Sequence, residues 1–226
     1  MKHILFGSIG VLAETSAIQQ ACYNQALAEF DTGIYWNTAT YCHLIREPGG
    51  YQRLENLGIH APKAKAIHER KQQLFAENLV NITPRAGIVS LIDACRDKGV
   101  GMSFVTTTTP LTLHAITTAL SGAITFDDFT VMTSAEDVAQ PKPSSLIYHH
   151  ALSEITAKTG VSAQDMLAIE DTSVNCQTAR DAGLACLFTP GDYALVNEGE
   201  MVCRDLSYAA CEAWFESAKE TILSVA

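Results

Sequence analysis

Four short stretches of this 226-residue chain carry side chains able to do chemistry together. Glu170-Asp171 directly follows the apolar run Met166-Leu167-Ala168-Ile169. Two adjacent carboxylates at the end of a buried run are costly unless a cation or hydrogen-bond donors face them. Thr106-Thr107-Thr108 follows a second apolar run, Gly101 to Val105, and Gly7-Ser8-Ile9-Gly10 follows a third, His3 to Phe6. Lys142 stands between Pro141 and Pro143, which stiffen its backbone. Taken singly, each has a plain reading. A threonine at a strand end caps or packs, a lysine is usually a solvated charge, and Asp171 can cap the next helix. Taken together, a hydroxyl, an ammonium and two carboxylates on one rim suit a phosphate group with Mg²⁺. Threonine and backbone N–H groups hold the oxygens, the lysine neutralises charge, and the acids hold the ion.

The rim exists only if the apolar runs are parallel strands. From Thr83 the chain alternates strand and helix patterns. Thr83-Pro84 reads as an N-cap with proline in the first turn, ahead of Ile88, Leu91, Ile92 and Cys95 at helical spacing. Phe129 to Met132 and Ala185 to Phe188 supply two further strands. Pro143 opens a helix with Leu146, Ile147, Ala151 and Ile155 on one face, and Thr172 caps a helix that Gly183 ends. Such alternation implies a doubly wound parallel α/β sheet, in which ligands bind beyond the carboxyl ends of the strands. Residues 15 to 80 differ. They show helical patterns only, including Ala17 to Phe30 and a charged helix from Pro62 through Leu79, with Pro48-Gly49-Gly50 as a break. The expected organisation is a core of residues 1–14 and 83–226 with a helical insert, 15–82, covering the strand ends.

Composition narrows the classes. Apolar residues make up 47%, enough for a real core. Fifteen Lys and Arg against 25 Asp and Glu give a net charge of −10, unlike a phosphate-backbone binder, so no nucleic-acid partner is expected. No window reaches the length and apolarity of a membrane helix, and the N-terminus reads as a buried strand rather than a signal peptide. Seven scattered cysteines without a Cys-x-x-Cys pattern fit reduced thiols, hence a cytoplasmic location.

The order of these elements resembles the haloacid dehalogenase superfamily with a helical cap. Members carry Asp-x-Asp-Gly after the first strand, Ser or Thr after the second, a lysine, and an acid pair after the fourth. Thr106, Lys142 and Glu170-Asp171 match the last three. Lys142-Pro143-Ser144-Ser145-Leu146-Ile147-Tyr148 is similar to the family's Lys-Pro-x-Pro-Asp-Ile-Tyr, and Glu170-Asp171-Thr172 to its Glu-Asp-Ser. Trp36, Tyr41, Leu44, Gly49-Gly50, Arg53, Thr189-Pro190 and Tyr193 extend the likeness to the CbbY-like branch, over nearly the whole chain. That branch comprises Mg²⁺-dependent sugar-phosphate phosphatases, including ones acting on xylulose 1,5-bisphosphate, and is related to β-phosphoglucomutase. The resemblance implies Thr106, Thr107 and Lys142 as phosphate-binding, Glu170 and Asp171 as metal-binding, and Gly49, Gly50 and Arg53 as substrate-facing.

The first loop departs from the pattern. Phe6-Gly7-Ser8-Ile9-Gly10-Val11-Leu12 places Gly7 at the nucleophile and Ile9 at the general acid/base. Ser8 is a poor substitute, because neighbouring side chains at a strand end point opposite ways. Asn175 replaces a glycine, Tyr51 a lysine and Gln19 a histidine. The expectation is a catalytically inactive pseudo-phosphatase that binds a phosphorylated sugar, an inorganic anion or a protein partner. The alternatives are an active phosphoric monoester hydrolase using a non-standard residue, and an interaction protein with a collapsed pocket. No cofactor is expected, with Glu170 and Asp171 a vestigial Mg²⁺ site at most. Without the ion, Lys142 is expected to bridge directly to Asp171 or Glu170, with Thr106 joining. At ~4 Å and an effective dielectric of ~20 their attraction is about 4 kcal/mol before desolvation.

Overall fold

The computed structural model describes residues 1–47, 49–79 and 82–225, with side chains through residue 219. Pro48 and Asn81, parts of two expected breaks, lie outside the described residues. Five parallel strands, β1 (His3–Phe6), β2 (Gly101–Phe104), β3 (Phe129–Met132), β4 (Met166–Glu170) and β5 (Ala185–Phe188), form one sheet in the order β3-β2-β1-β4-β5. β1 is central, with His3 beside Gly101 on one flank and Met166 on the other.

The strands are apolar on both faces because helices cover both. Alternation divides their side chains. Ile4, Phe6, Leu167 and Ile169 pack on one face with α6 (Ile88–Lys98), α7 (Pro110–Leu120) and α10 (Tyr208–Val225). Leu5, Met166 and Ala168 pack on the other with α8 (Leu146–Thr159) and α9 (Ser173–Asp181). The order reverses at β1, which brings the loops after β1, β2 and β4 to one crevice.

Between β1 and β2 the described elements are helices: α1 (Ile9–Leu12), α2 (Ser16–Glu29), α3 (Thr38–Leu44), α4 (Gly50–Glu55) and α5 (Ala61–Glu77), then α6. Tyr23, Trp36 and Tyr41 form an aromatic nest among them, and Ile67, Leu74 and Phe75 of α5 are buried against α2. These residues join the apolar cluster that lines the first face of the sheet.

Two local expectations are corrected. Thr83-Pro84 does not cap a helix. Pro84 pairs in an antiparallel bridge with Ala13, Arg85 N–H donates to Leu12 C=O at 2.8 Å, and α6 begins at Ile88 after Gly87, whose φ of 86° a side chain would strain. Pro143 does not open α8. Pro141 to Ser144 forms a turn closed by Ser144 N–H on Pro141 C=O, and the helix starts at Leu146. Leu146 then faces solvent at 43% exposure, while Tyr148 takes the buried stripe with Ile147, Ala151 and Ile155.

Candidate active site

The crevice holds a cavity of about 420 Å³, lined from below by the loops after β1, β2 and β4 and from above by α2, α4 and α5. Its floor starts from β1. Gly7 N–H continues the ladder to Ile169 C=O at 2.8 Å, and the chain turns at once into α1, which buries Ile9, Val11 and Leu12. Ile9 therefore belongs to the apolar cluster while also lining the cavity.

Lys142 lies beneath this loop with 4% of its side chain exposed. Its ammonium donates to Gly7 C=O, to Val105 C=O at 3.0 Å and to Glu170 Oε1 at 2.5 Å, and stands 4.6 Å from the centre of the Tyr148 ring. An ammonium has three N–H groups, and all three have acceptors within the fold. Glu170 is fully buried. Besides Lys142 it accepts from the Tyr148 hydroxyl at 2.6 Å and from Asn175 Nδ2 at 3.4 Å. Burial, with the Glu170 charge beside it, holds the Tyr148 phenol well above its ordinary range. The expected bridge thus forms to Glu170 rather than Asp171. Thr106 does not join it: Thr106 Oγ1 accepts Thr108 N–H at 3.1 Å, and its own N–H is held by Thr133.

Gly7 is required by this arrangement. A Cβ there would overlap the Tyr148 hydroxyl and the Glu170 carboxylate. The space a first-loop side chain would enter is filled by residues from α8 and β4. Asp171 lies at the next step, so close to Gly10 that a Cβ on Gly10 would overlap its carboxylate. Burial and Glu170 push the Asp171 carboxyl up to about 6, against the opposing pull of Ser8, Lys142 and Arg85. Its Oδ1, Ser8 Oγ and Asn175 Oδ1 are enclosed with no hydrogen-bond partner of good geometry. Arg85 faces Asp171 from behind the floor. Its guanidinium is spent on Gly10 C=O, Thr189 C=O and Pro190 C=O, at 3.0, 2.9 and 2.7 Å.

The roof is basic. Arg53 is anchored to Leu44 C=O and Glu47 C=O, each at 3.0 Å, with its guanidinium 5.8 Å from the Tyr23 ring centre. Gly50 lets Tyr23 approach, since a Cβ there would overlap the Tyr23 hydroxyl. Gly49, at φ 94°, begins α4. Lys71 of α5 is 3% exposed. Among the described residues its ammonium contacts neutral groups: Gln19 Oε1 at 2.9 Å, Gln72 Oε1 at 3.2 Å, and the rings of Tyr23 and Phe75 at 4.9 and 4.8 Å. Burial lowers it to about 7. Burial and the two cations lower His68 to about 4.

The cavity brings together Gly7, Ile9, Thr106, Thr107, Lys142, Asp171, Gly49, Gly50 and Arg53. Glu170 lies beneath its floor. The sequence reading did not include Lys71 or His68. Lys71 had a visible signal: it occupies the buried stripe Ala64, Ile67, Lys71, Leu74, where a lysine interrupts helical apolar spacing.

Comparison with known proteins agrees with this geometry. The family model for haloacid dehalogenase-like hydrolases matches residues 4–189. Protein CbbY of Rhodobacter capsulatus is 31% identical over 94% of this chain and 97% of its own. The crystal structure of CbbY from Rhodobacter sphaeroides in complex with phosphate superposes with a TM-score of 0.82 at 26% identity, covering 96% of this chain and all of that one (100%). A mutant of the same protein, solved in complex with xylulose-(1,5)bisphosphate, gives the same TM-score over 95% of this chain and 99% of that one. With the sheet order, the crevice and these matches in hand, the chain belongs to the haloacid dehalogenase-like hydrolases, in their CbbY-like branch.

Proposed function

We propose that this protein is a catalytically silent member of its branch that binds a phosphorylated small molecule without hydrolysing it. The observation carrying this reading is Gly7, with Tyr148 and Glu170 in the space a nucleophilic side chain would need. Loss of a covalent nucleophile costs about 10⁴ to 10⁶ in turnover. At the second position Ile9 is 8% exposed, within the apolar cluster, and has no proton to give. Hydrolysis through Ser8 has one observation in its favour, its place in the cavity lining beside Asp171, but its Oγ is fully enclosed.

The family's use of Mg²⁺ does not carry over on this reading. Gly7 offers no carboxylate, and Glu170 is already paired with Lys142 and hydrogen-bonded by Tyr148 and Asn175. Asp171 alone is a poor set of ligands for an ion that wants near-octahedral oxygen geometry. Among the described residues no three His, Cys, Asp or Glu side chains converge to hold a metal.

Binding has support of its own. The cavity is of ligand size. Thr106 and Thr107 line its wall, and the basic residues Arg53 and Lys71 line its roof. Residues 15–82 act on this reading as a cap over the core of residues 1–14 and 83–226. Related crystal structures hold phosphate and xylulose-(1,5)bisphosphate, and a phosphorylated sugar is the natural candidate here.

The test is phosphate release from a panel of sugar phosphates, with Mg²⁺ and with EDTA, beside calorimetric binding of the same compounds. Binding without release is expected. Turnover at ~1 s⁻¹ or faster would overturn the reading.

A further inference from the structure

The cavity is electrically polarised in a way that selects its ligand, and this inference rests on the binding reading above. We propose that the ligand carries a single phosphate held at the roof by Lys71, and that hydroxyl groups, not a second phosphate, face the floor around Thr106 and Asp171.

The floor has no N–H cation left to give. Each donor of Lys142 is used by Gly7, Val105 or Glu170, and its charge is balanced by Glu170. Asp171 adds a carboxylate to the lining, and its remaining neighbour Arg85 stands behind the floor with its guanidinium turned to three backbone carbonyls. A phosphate dianion placed there would meet an acid and no free ammonium. Alcohol groups fit better. They donate to carboxylate oxygens and accept from the Thr106 hydroxyl, whose own acceptor role is taken by Thr108 N–H.

The roof has the opposite character. Lys71 is a deeply buried ammonium that forms no ion pair among the described residues. Arg53 stands beside the same Tyr23 ring, and among the described residues no carboxylate lines the roof. An isolated buried cation is costly until an anion joins it, so a phosphate gains most there.

The experiment is calorimetry in EDTA with ribulose 5-phosphate and ribulose 1,5-bisphosphate on the wild-type protein and on Lys71→Met and Asp171→Asn. Wild type should bind the monophosphate at least about tenfold more tightly than the bisphosphate. Lys71→Met, checked for folding by circular dichroism, should weaken the monophosphate at least about tenfold. Asp171→Asn, which removes the floor charge, should strengthen the bisphosphate by about tenfold and so shrink the wild-type preference for the monophosphate. The wild-type comparison needs no variant to fold. Equal or tighter bisphosphate binding, or undiminished monophosphate binding by Lys71→Met, would overturn the proposal while leaving a silent binder. Hydrolysis of either compound would overturn the silent reading instead, and failure of both to bind would overturn both.

Discussion

Replacing Lys71 by methionine should stabilise the protein near pH 6.5 and destabilise it slightly near pH 9.5. The folded protein holds this ammonium at about 7, against 10.5 for a free lysine, because burial penalises the charge. The unfolded chain keeps its proton up to about 10.5 while the folded chain releases it near 7. In that window the unfolded state binds more protons, so stability rises with pH across it. At about 1.4 kcal/mol per pKa unit, the charge costs about 5 kcal/mol at and below neutral pH. Hydrogen bonding to Gln19 and Gln72 and packing of the stem on the Tyr23 and Phe75 rings, both of which the neutral amine keeps, return about 3 kcal/mol. Methionine keeps the buried volume and drops both contributions, for a net gain of about 2 kcal/mol. In a chain of this size that is a rise in Tm of about 4–8 °C. At pH 9.5 most of the charge penalty is gone from the wild type, the gain shrinks by about 3 kcal/mol, and the sign reverses. Thermal unfolding of both proteins at the two pH values checks this. A methionine variant less stable at both, or a difference that does not change with pH, would show that Lys71 has a counter-charge and refute the reasoning.

Restoring both missing aspartates, Gly7→Asp with Ile9→Asp, should not restore turnover and should lower Tm, because the new Cβ at position 7 meets the Tyr148 hydroxyl and the Glu170 carboxylate. Phosphate release at ordinary enzyme rates by that double variant would count against the filled-space argument. Lys142→Met should destabilise by about 3–5 kcal/mol by stranding buried Glu170. Adding Glu170→Gln should recover much of the loss, and denaturant unfolding of the three variants as a double-mutant cycle would reveal additivity if the pair is not coupled. His3 is buried in β1 and held at about 4 by desolvation, so the unfolded chain takes up a proton near 6.5 that the folded chain refuses. Stability should fall by about 3 kcal/mol as pH drops from about 6.5 to about 4, and His3→Gln should flatten that slope in urea titrations. An unchanged slope would mean that His3 is not the group responsible.

Much of the architecture was legible because it is local. His3 to Phe6, Met166 to Ile169 and Ala185 to Phe188 are short apolar runs, and each is a strand fully or nearly buried on both faces. Their parallel pairing put Thr106, Lys142, Glu170 and Asp171 on one rim, as the alternation of helix and strand required. Gly7 and Ile9 could be read as missing side chains from the sequence alone, since a glycine can neither attack phosphorus nor hold an ion whatever surrounds it. At Pro143 and Thr83-Pro84 a turn closed by Ser144 N–H and a bridge to Ala13 override the local helix signals. Tertiary structure alone decided which acid pairs with Lys142. Tyr148 from α8 and Asn175 from α9 converge on Glu170, and the carbonyls of Gly7 and Val105 complete the shell of Lys142. It also decided that Lys71 has no counter-charge among the described residues. The cost of a buried charge depends on what the packed elements place around it, and here Gln19 and Tyr23 of α2 and Gln72 and Phe75 of its own α5 bring no anion. Sequence spacing marks a lysine on an apolar stripe; only the packing of α2 against α5 removes its water and leaves its charge unpaired.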